Sequence, residues 1–429
     1  MHCQRGAGMK KLGPGAGDQG RGETDRRRFI THTVGALAGI ALVPESHELF
    51  PVVQGGPLRV GIIGTGRQGR AIVTELQKID QVQIGALCDT SAARLKTAAE
   101  RVKDAATYPD HGAMLAAGSD IKAVIIATPT HTHRDIVLDC LKAGRHVFCE
   151  APVAATVEDC QALIEAASSA KSVAQAGFQG RSNPTYRRAQ PLVDAELRQV
   201  ISVHAQHHRK TSWRFPAPDA AAEREVNWRL DPAVSTGLAG EIGAQQFDVA
   251  QWFRGGRYPV RALGRGAVRV HKDGRTVADS IEVDLIWEDD VALRYQATLA
   301  NSYGGQHELF VGGQGTIRLA WTHSWLFKEA DSPTQGWEVY ATRQEFFGQE
   351  GIVLVADATK LAAQGALKSG AGLPHPSLYY ALVDFVRSAT EGMPVRCSLQ
   401  EGARATIVGI LANQAVVTGQ PVTIPSMSA

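Results

Sequence analysis

Between positions 64 and 69 the chain reads Gly64-Thr65-Gly66-Arg67-Gln68-Gly69, a spacing of small residues that suits the close approach of a phosphate chain. A GxGxxG run is weak by itself, because 44 glycines produce chance matches. Its setting makes it specific. An apolar stretch, 58–63, runs straight into it. A helical pattern follows, with Ile72, Val73, Leu76 and Ile79 on one face, and a second apolar stretch, 82–88, then ends in Asp89. In that setting Gly64 permits the tight turn, Gly66 lets the backbone approach a pyrophosphate, and Gly69 lets the helix pack on the strand. The N–H groups of the helix start, with Arg67 and Gln68, meet the phosphates. Asp89, 20 residues past Gly69, accepts from the adenosine ribose hydroxyls, which favours NAD. Arg67 and Arg94 stand where a 2′-phosphate would be met, so NADP stays open.

Three other constellations could do chemistry. Thr128-Pro129-Thr130-His131-Thr132-His133 follows an apolar stretch at 123–127, and Glu150-Ala151-Pro152 ends another at 146–149. The run from Gln206 to Arg214 crowds His207, His208, Trp213 and Arg214 together, and Trp228-Arg229 repeats the pairing. Trp stacks on sugar faces while Arg and His bond hydroxyls, although a solvated strand edge reads equally well. Finally, Glu241, Gln245 and Asp248 fall at the start of an amphipathic helix that continues through Val249, Trp252 and Phe253.

The elements that must position these residues divide into two domains. Strands and helices alternate over 57–178, the pattern of a Rossmann dinucleotide-binding domain with a parallel sheet. Residues 179–429 read as a substrate-binding α/β domain with an open, mostly antiparallel sheet. Helices are expected at 183–197, 377–389 and 399–418, and strands at 200–207, 281–285, 291–295 and within 307–321. Residues 322–373 read as surface loops. Tyr379 and Tyr380 fit an amphipathic stripe better than a site. The composition suits this: 429 residues, 44% hydrophobic and 21% charged, is ordinary globular material. No run of 18 apolar residues argues for a multi-pass membrane protein.

Linked together, these motifs resemble the glucose–fructose oxidoreductase/inositol dehydrogenase/MocA-like (Gfo/Idh/MocA) family. The resemblance rests on Ala-Thr-Pro-x-x-x-His at 127–133 and Ala-Gly-Arg-His-Val-x-Cys-Glu-x-Pro at 143–152, after an N-terminal GxGxxG, and it covers about 58–425. It implies an open sheet that holds a sugar-like substrate over the nicotinamide. Thr128, Pro129, His133 and Pro152 would border the cofactor, and Glu150 would contact its nicotinamide half. Residues 237–248 resemble the family's Gly-Gly-x-x-x-Asp-x-Gly-x-His-x-x-Asp segment. Two departures stand out. Ala151 replaces the lysine of the usual Glu-Lys-Pro, and a methyl group cannot donate a proton. Gln245 replaces the usual histidine, and an amide cannot take a proton near neutrality. Glu241 is a longer version of the usual aspartate, and Asp248 is retained to orient the helix or the substrate. The proton acceptor must then come from Glu241, His207, His208 or the tyrosines. By the same resemblance the protein forms a homo-oligomer, a dimer or tetramer.

Residues 1–56 read as an address. Arg26-Arg27-Arg28-Phe29-Ile30 precedes a short apolar stretch diluted by Gly and Ala, a pattern similar to a twin-arginine export signal. The twin-arginine export machinery is then a partner, and the destination is periplasmic or otherwise reached by that export route. A protein exported folded carries its cofactor with it, so a tightly bound NAD is expected. Residues 1–38 hold seven Lys or Arg against three acids, although the whole chain is only +2. The remainder is slightly acidic and makes no electrostatic case for nucleic acid. Cys3 lies in the leader, and Cys88, Cys140, Cys149, Cys160 and Cys397 lack metal spacing, so neither zinc nor a disulfide framework is expected.

The leading expectation is an NAD(P)-dependent oxidoreductase acting on a sugar, cyclitol or glycoside with a non-standard acid/base set. Two other readings stand beside it. One is a redox-assisted glycosidase that never releases its NAD, and the other is a non-catalytic relative that binds nucleotide and sugar.

Overall fold

The computed structural model describes residues 56–427 except 119, 218, 347 and 355–371. The export-signal reading, Cys3 included, therefore lies outside the described residues.

Residues 58–177 alternate strand and helix: β1 (Leu58–Ile63), α1 (Arg67–Leu76), β2 (Val82–Cys88), α2 (Ala92–Ala99), β3 (Ala106–Tyr108), α3 (His111–Ala117), β4 (Ala123–Ile126), α4 (His133–Lys142), β5 (His146–Glu150), α5 (Val157–Ser169) and β6 (Ala174–Gly177). The strands form one parallel sheet in the order β3-β2-β1-β4-β5-β6. Helices cover both faces, so β1, β4 and β5 are apolar almost throughout rather than alternating. The order reverses between β1 and β4. Their carboxyl ends lead to Gly64 and Thr128, and the loops diverge there to leave the crevice in which such sheets bind ligands.

The second sheet has ten strands. After α6 (Pro184–Ala189) come β7 (Val200–His208), α7 (Ala220–Val226), α8 (Ala244–Phe253), β8 (Arg261–Ala267), β9 (Ser280–Ile286), β10 (Ala292–Thr298), β11 (Gln306–Gly312), β12 (Gly315–Leu319), β13 (Ser324–Lys328), β14 (Arg343–Phe346) and β15 (Gln349–Val353). The chain ends with α9 (Ser377–Glu391), α10 (Leu399–Thr418) and β16 (Val422–Thr423). The strand order is β14-β15-β13-β12-β11-β7-β10-β9-β8-β16, antiparallel except where β7 meets β10. Leu293, Tyr295 and Ala297 of β10 are buried and their neighbours point outward, the alternation of a sheet packed on one side.

Two expectations need correction. The helix read over 183–197 stops after Ala189, because Pro191 lacks an N–H to continue it, and resumes as a wide turn at 193–197. Residues 322–373 are not simply loops, since β13, β14 and β15 extend the sheet through 353, although 355–371 fall outside the described residues.

α9 and α10 return to the first sheet. Ala176 N donates to Cys397 O at 3.0 Å, Gln175 Nε2 donates to Ala381 O at 3.1 Å, and Phe148 meets Phe385 edge-on at 5.7 Å. A Ser398–Glu401 capping box starts α10, and Gly419 at φ +65° ends it. Its buried Leu399, Ala403, Ala405 and Ile407 join the apolar cluster of the parallel sheet, while Val408, Ala412 and Ala415 join that of the second sheet. One helix thus holds both sheets, at about 1.5–3 kcal/mol for each large apolar side chain it buries.

Candidate active site

The glycine loop has the geometry its spacing implies. Gly64 sits at φ +92°, and a Cβ there would lie 2.6 Å from Ala127 O. A Cβ on Gly69 would lie 1.9 Å from Gly64 O, so α1 can start here only without a side chain. Gly66 is different. A Cβ on it would meet no protein atom within 4 Å. Protein packing does not require that glycine, whereas close approach of a dinucleotide does. The loop and the free N–H groups of α1 therefore fit NAD, with Gly64, Gly66, Arg67, Gln68 and Gly69 as the cradle.

Asp89 ends β2 beside this loop. Its Oδ2 accepts from Thr65 N at 2.8 Å and Thr65 Oγ1 at 3.0 Å, and its Oδ1 accepts from Ser91 N at 2.8 Å and Arg94 Nε at 3.1 Å. A ribose hydroxyl reaches Asp89 by replacing one of these donors, and the Thr65 hydroxyl is the most easily turned away. Arg94 is also paired with Glu225 of α7. With two carboxylates on it, Arg94 is a poor receiver for a 2′-phosphate, and the site suits NAD.

Across the crevice, Glu150 closes β5. It is buried, its Oε1 accepts from Gln68 Nε2 at 2.8 Å, and burial pushes its carboxyl up to about 7 against bonds from Gln68, Ala151 and Gln179. Gln245 reaches the same place from α8. Its Nε2 donates to Gly177 O at 2.9 Å, and Gly177 pairs with Glu150 across the strands. The Gln245 Oε1 is buried with no hydrogen-bond partner.

His133 stands behind this surface rather than on it. Its Nδ1 lies 2.9 Å from Pro152 O and its Nε2 2.9 Å from Thr128 O, between the two loops. Burial pushes it down to about 4, so at pH 7 the ring is neutral and donates its single N–H to one of these carbonyls. Thr128 and Pro129 are held in turn by the Thr132 hydroxyl, which donates at 2.8 Å to Thr128 Oγ1 or Pro129 O.

The opposite wall comes from residues 209–248. A turn of π-helix, 239–243, leads into α8 and carries Glu241. Its Oε1 accepts from Thr236 Oγ1 at 2.9 Å, its Oε2 accepts from Thr130 Oγ1 at 3.3 Å, and Arg229 Nε lies 3.3 Å from Oε2. Glu241 thus joins the loop after β4 to Arg229. The Arg229 guanidinium lies over Trp228 at 4.3 Å and near Trp213 at 6.0 Å, and His131 meets Trp228 edge-on at 5.8 Å. Phe215 lies against Arg67 at 5.4 Å, held by Asn227, whose Oδ1 accepts from Phe215 N and whose Nδ2 donates to Phe215 O. Residues 213–229 therefore strap the glycine loop, fastened by Phe215 at one point and by Glu225 on Arg94 at another.

Four expected site residues are placed elsewhere. His207 and His208 are consecutive on β7 and cannot share a face. His207 points inward with Val203 and Ala205, and its Nδ1 is buried without a partner. Burial and the nearby Arg209 push it down to about 4. His208 points to the open side of the sheet, where its Nδ1 contacts Tyr303 O at 2.9 Å. Arg214 is paired with Glu223 and with Asp273, the latter at 2.9 Å, and so braces the strap. Asp248 is fully buried and held by Arg181, whose Nε and Nη2 lie 2.9 and 2.8 Å from its oxygens, so it fixes α8 from behind. Of the tyrosines, Tyr380 is buried in α9 and Tyr379 stacks on His375 at 4.0 Å. Thr130, His131, Phe215 and Thr236 belong to the site without having been singled out. His131 and Thr130 lay inside a motif already read, whereas nothing local marks Phe215 or Thr236.

Comparison with known proteins agrees with this architecture. Residues 58–178 match the model described as an oxidoreductase family's NAD-binding Rossmann fold, and 192–424 match the C-terminal alpha/beta domain of the same family. An inositol 2-dehydrogenase of Salmonella paratyphi B is 32% identical over 175 residues, 40% of this chain, and the chain spans only about half (52%) of that relative's length. A myo-inositol 2-dehydrogenase of Thermotoga maritima is 22% identical over 84% of this chain and 96% of its own. Among solved structures, a levoglucosan dehydrogenase in complex with NADH and levoglucosan superposes with a TM-score of 0.69 at 18% identity, over 86% of this chain and all of that one. At that identity the likeness is one of fold.

Proposed function

The chain belongs to the Gfo/Idh/MocA oxidoreductase family, and from that premise we propose that it oxidises a hydroxyl of a sugar, cyclitol or glycoside by hydride transfer to NAD. One observation carries the proposal: the Gly64–Gly69 cradle and the Trp228–Arg229 wall face one crevice, bridged by Glu241 between Thr130 and Arg229. The names of the relatives, inositol and levoglucosan dehydrogenases, support a polyhydroxylated ring as substrate.

NAD, when bound, supplies the hydride acceptor. The chain's residues must position the substrate and take its hydroxyl proton. Gln245 Oε1, buried and unpartnered, accepts from a neighbouring hydroxyl of the ring and so aligns the reacting carbon. Ala151 cannot take the proton, Glu241 is committed to its ion pair with Arg229, and His207 at about 4 is a weak base near neutrality. Glu150 is left. Its carboxylate, with Oε1 on Gln68 and a value of about 7, is matched to accept the proton as the C–H pair leaves as hydride and the C=O bond forms. Thr130 and Glu241 hold Arg229 against Trp228, fixing the wall on which the ring rests.

The strap favours a second reading. A cofactor held under Phe215 and behind the Arg94–Glu225 pair suits an enzyme that oxidises and re-reduces one sugar without releasing NAD, as a redox-assisted glycosidase does. A retained cofactor also suits export in the folded state through the twin-arginine route, which the Arg26–Ile30 pattern supports. The test is the reduced-nicotinamide absorbance of protein purified with its own leader, given a pool of free sugars and then a pool of glycosides. A lasting rise with free sugars supports the oxidoreductase. Release of aglycone with no lasting rise moves the assignment to the glycosidase, and bound nucleotide with neither response leaves a binding protein.

A further inference from the structure

Two arginines stand beside the glycine loop and Asp89, and the strap lies against both. Arg67 opens α1, and the Phe215 ring is 5.4 Å from its guanidinium. Arg94 is near the start of α2. It donates through Nε to Asp89 Oδ1 at 3.1 Å and through Nη2 to Glu225 Oε1. Nε and Nη2 form one edge of the guanidinium, a fork able to hold a phosphate in two parallel bonds. Here each donor of that fork serves a different carboxylate. Two negative groups therefore face one positive group.

Glu225 comes from 131 positions away, on a helix that packing alone does not place. α7 buries none of its seven residues. Its start is closed by its own Asp219, which accepts from Ala221 N and Ala222 N, both at 2.9 Å. What fastens it to the rest of the protein is polar: Glu225 on Arg94, Glu223 on Arg214, and Asn227 on the backbone of Phe215. The Glu225 side chain is 52% exposed, so its ion pair is screened and contributes little to folding. Its effect is to occupy Arg94.

Resting on the reading of this crevice as the dinucleotide site of an oxidoreductase, we propose that Glu225 is a specificity residue. From the second domain it keeps Arg94 from the 2′-phosphate of NADP, and so makes the site select NAD. Asp89 by itself leaves Nη2 free for a phosphate. Glu225 takes that donor and sets a second negative charge against a group that brings close to two more. A ribose without the phosphate offers hydroxyls that donate to Asp89, and Glu225 costs it nothing.

The experiment is fluorescence titration of nucleotide-free, full-length protein with NADH and with NADPH, reading the ratio of the two dissociation constants. The parent should bind NADH at least about tenfold more tightly. Glu225→Gln should shift the ratio towards NADPH by about fivefold, within what a screened ion pair supplies, and Glu225→Lys should shift it further. Both substitutions unfasten the strap. A strap that served only to retain the cofactor would weaken both nucleotides alike and leave the ratio where it was. On an Arg94→Gln background, Glu225→Gln should move the ratio by less than about twofold, because its effect runs through Arg94. A ratio that neither Glu225 variant moves towards NADPH, a shift undiminished by Arg94→Gln, or a parent that prefers NADPH would each overturn the proposal and leave the oxidoreductase standing. A parent that binds neither nucleotide would remove the oxidoreductase reading and the proposal with it.

Discussion

Replacing Glu150 by glutamine should move activity and stability in opposite directions, and both magnitudes follow from its burial. The carboxyl is raised from its ordinary 4.5 to about 7. A base acts when ionised, so kcat/KM should fall about tenfold per unit of pH below 7 and level off above it. Glu150→Gln cannot accept the proton, and loss of a positioned base typically costs about 10²–10⁴ in rate. Stability runs the other way. A carboxyl with a raised folded value contributes most in the acid range, below about 4.5, and that contribution is lost as pH rises through about 7. Above pH 8 the buried charge costs about 3 kcal/mol, at about 1.4 kcal/mol per unit. The amide removes that cost, keeps the size, and can still accept from Gln68 through its oxygen. The assay pairs a pH–rate profile with urea unfolding between pH 5 and pH 9, at one NADH concentration throughout. The variant should be nearly inactive, more stable than the parent at pH 8, and flatter in its pH dependence. A variant that keeps activity within tenfold, with its bend near pH 7 intact, would refute both the base assignment and the reasoning from burial.

Three further outcomes are expected. Gly66→Ala should fold normally and lose at least about tenfold in NADH affinity, because its Cβ meets no protein atom but blocks the approach of the pyrophosphate. Gly69→Ala should instead lower the unfolding midpoint, since its Cβ would overlap Gly64 O; circular dichroism and NADH fluorescence separate the two. Glu308, buried between the Tyr186 hydroxyl at 2.6 Å and Gln246 Nε2 at 2.7 Å, is also raised to about 7 by burial. Glu308→Gln should therefore gain stability relative to the parent above pH 8 with no such gain at pH 5, and an equal change at both would falsify the linkage.

The parallel sheet was legible because its signals are local: β1 runs into Gly64 without interruption, and Asp89 closes β2. The later strands were not, for reasons visible in their residues. β13 buries Ser324, Trp325 and Leu326 in succession, so it shows no alternation, and β14 is Arg-Gln-Glu-Phe, which reads as a polar loop. Site chemistry was readable by residue type but not by role. Glu241 was found as an acid, but Thr130 and Arg229, which engage it, lie 111 and 12 positions away in sequence. The one local inference that was available concerns His207 and His208, since adjacent strand positions always oppose each other. For Asp248 the sequence left helix and substrate both open, because the choice depends on Arg181, which sits on a short turn after β6 that no pattern marked.

The ten-stranded sheet ends at both sides in its shortest or most polar members. β16 is two residues long with Pro425 two positions after it, and β14 is four residues with Arg343 paired to Glu350. A sheet this wide would otherwise offer long rows of unpaired N–H and C=O groups to any extended chain. Here the outermost strands offer an incoming strand two residues of register along β16 and a charged, four-residue margin along β14, too little to template cross-chain pairing on them. Addition to either outermost strand is therefore disfavoured by the way the sheet stops, independently of whatever its faces bind.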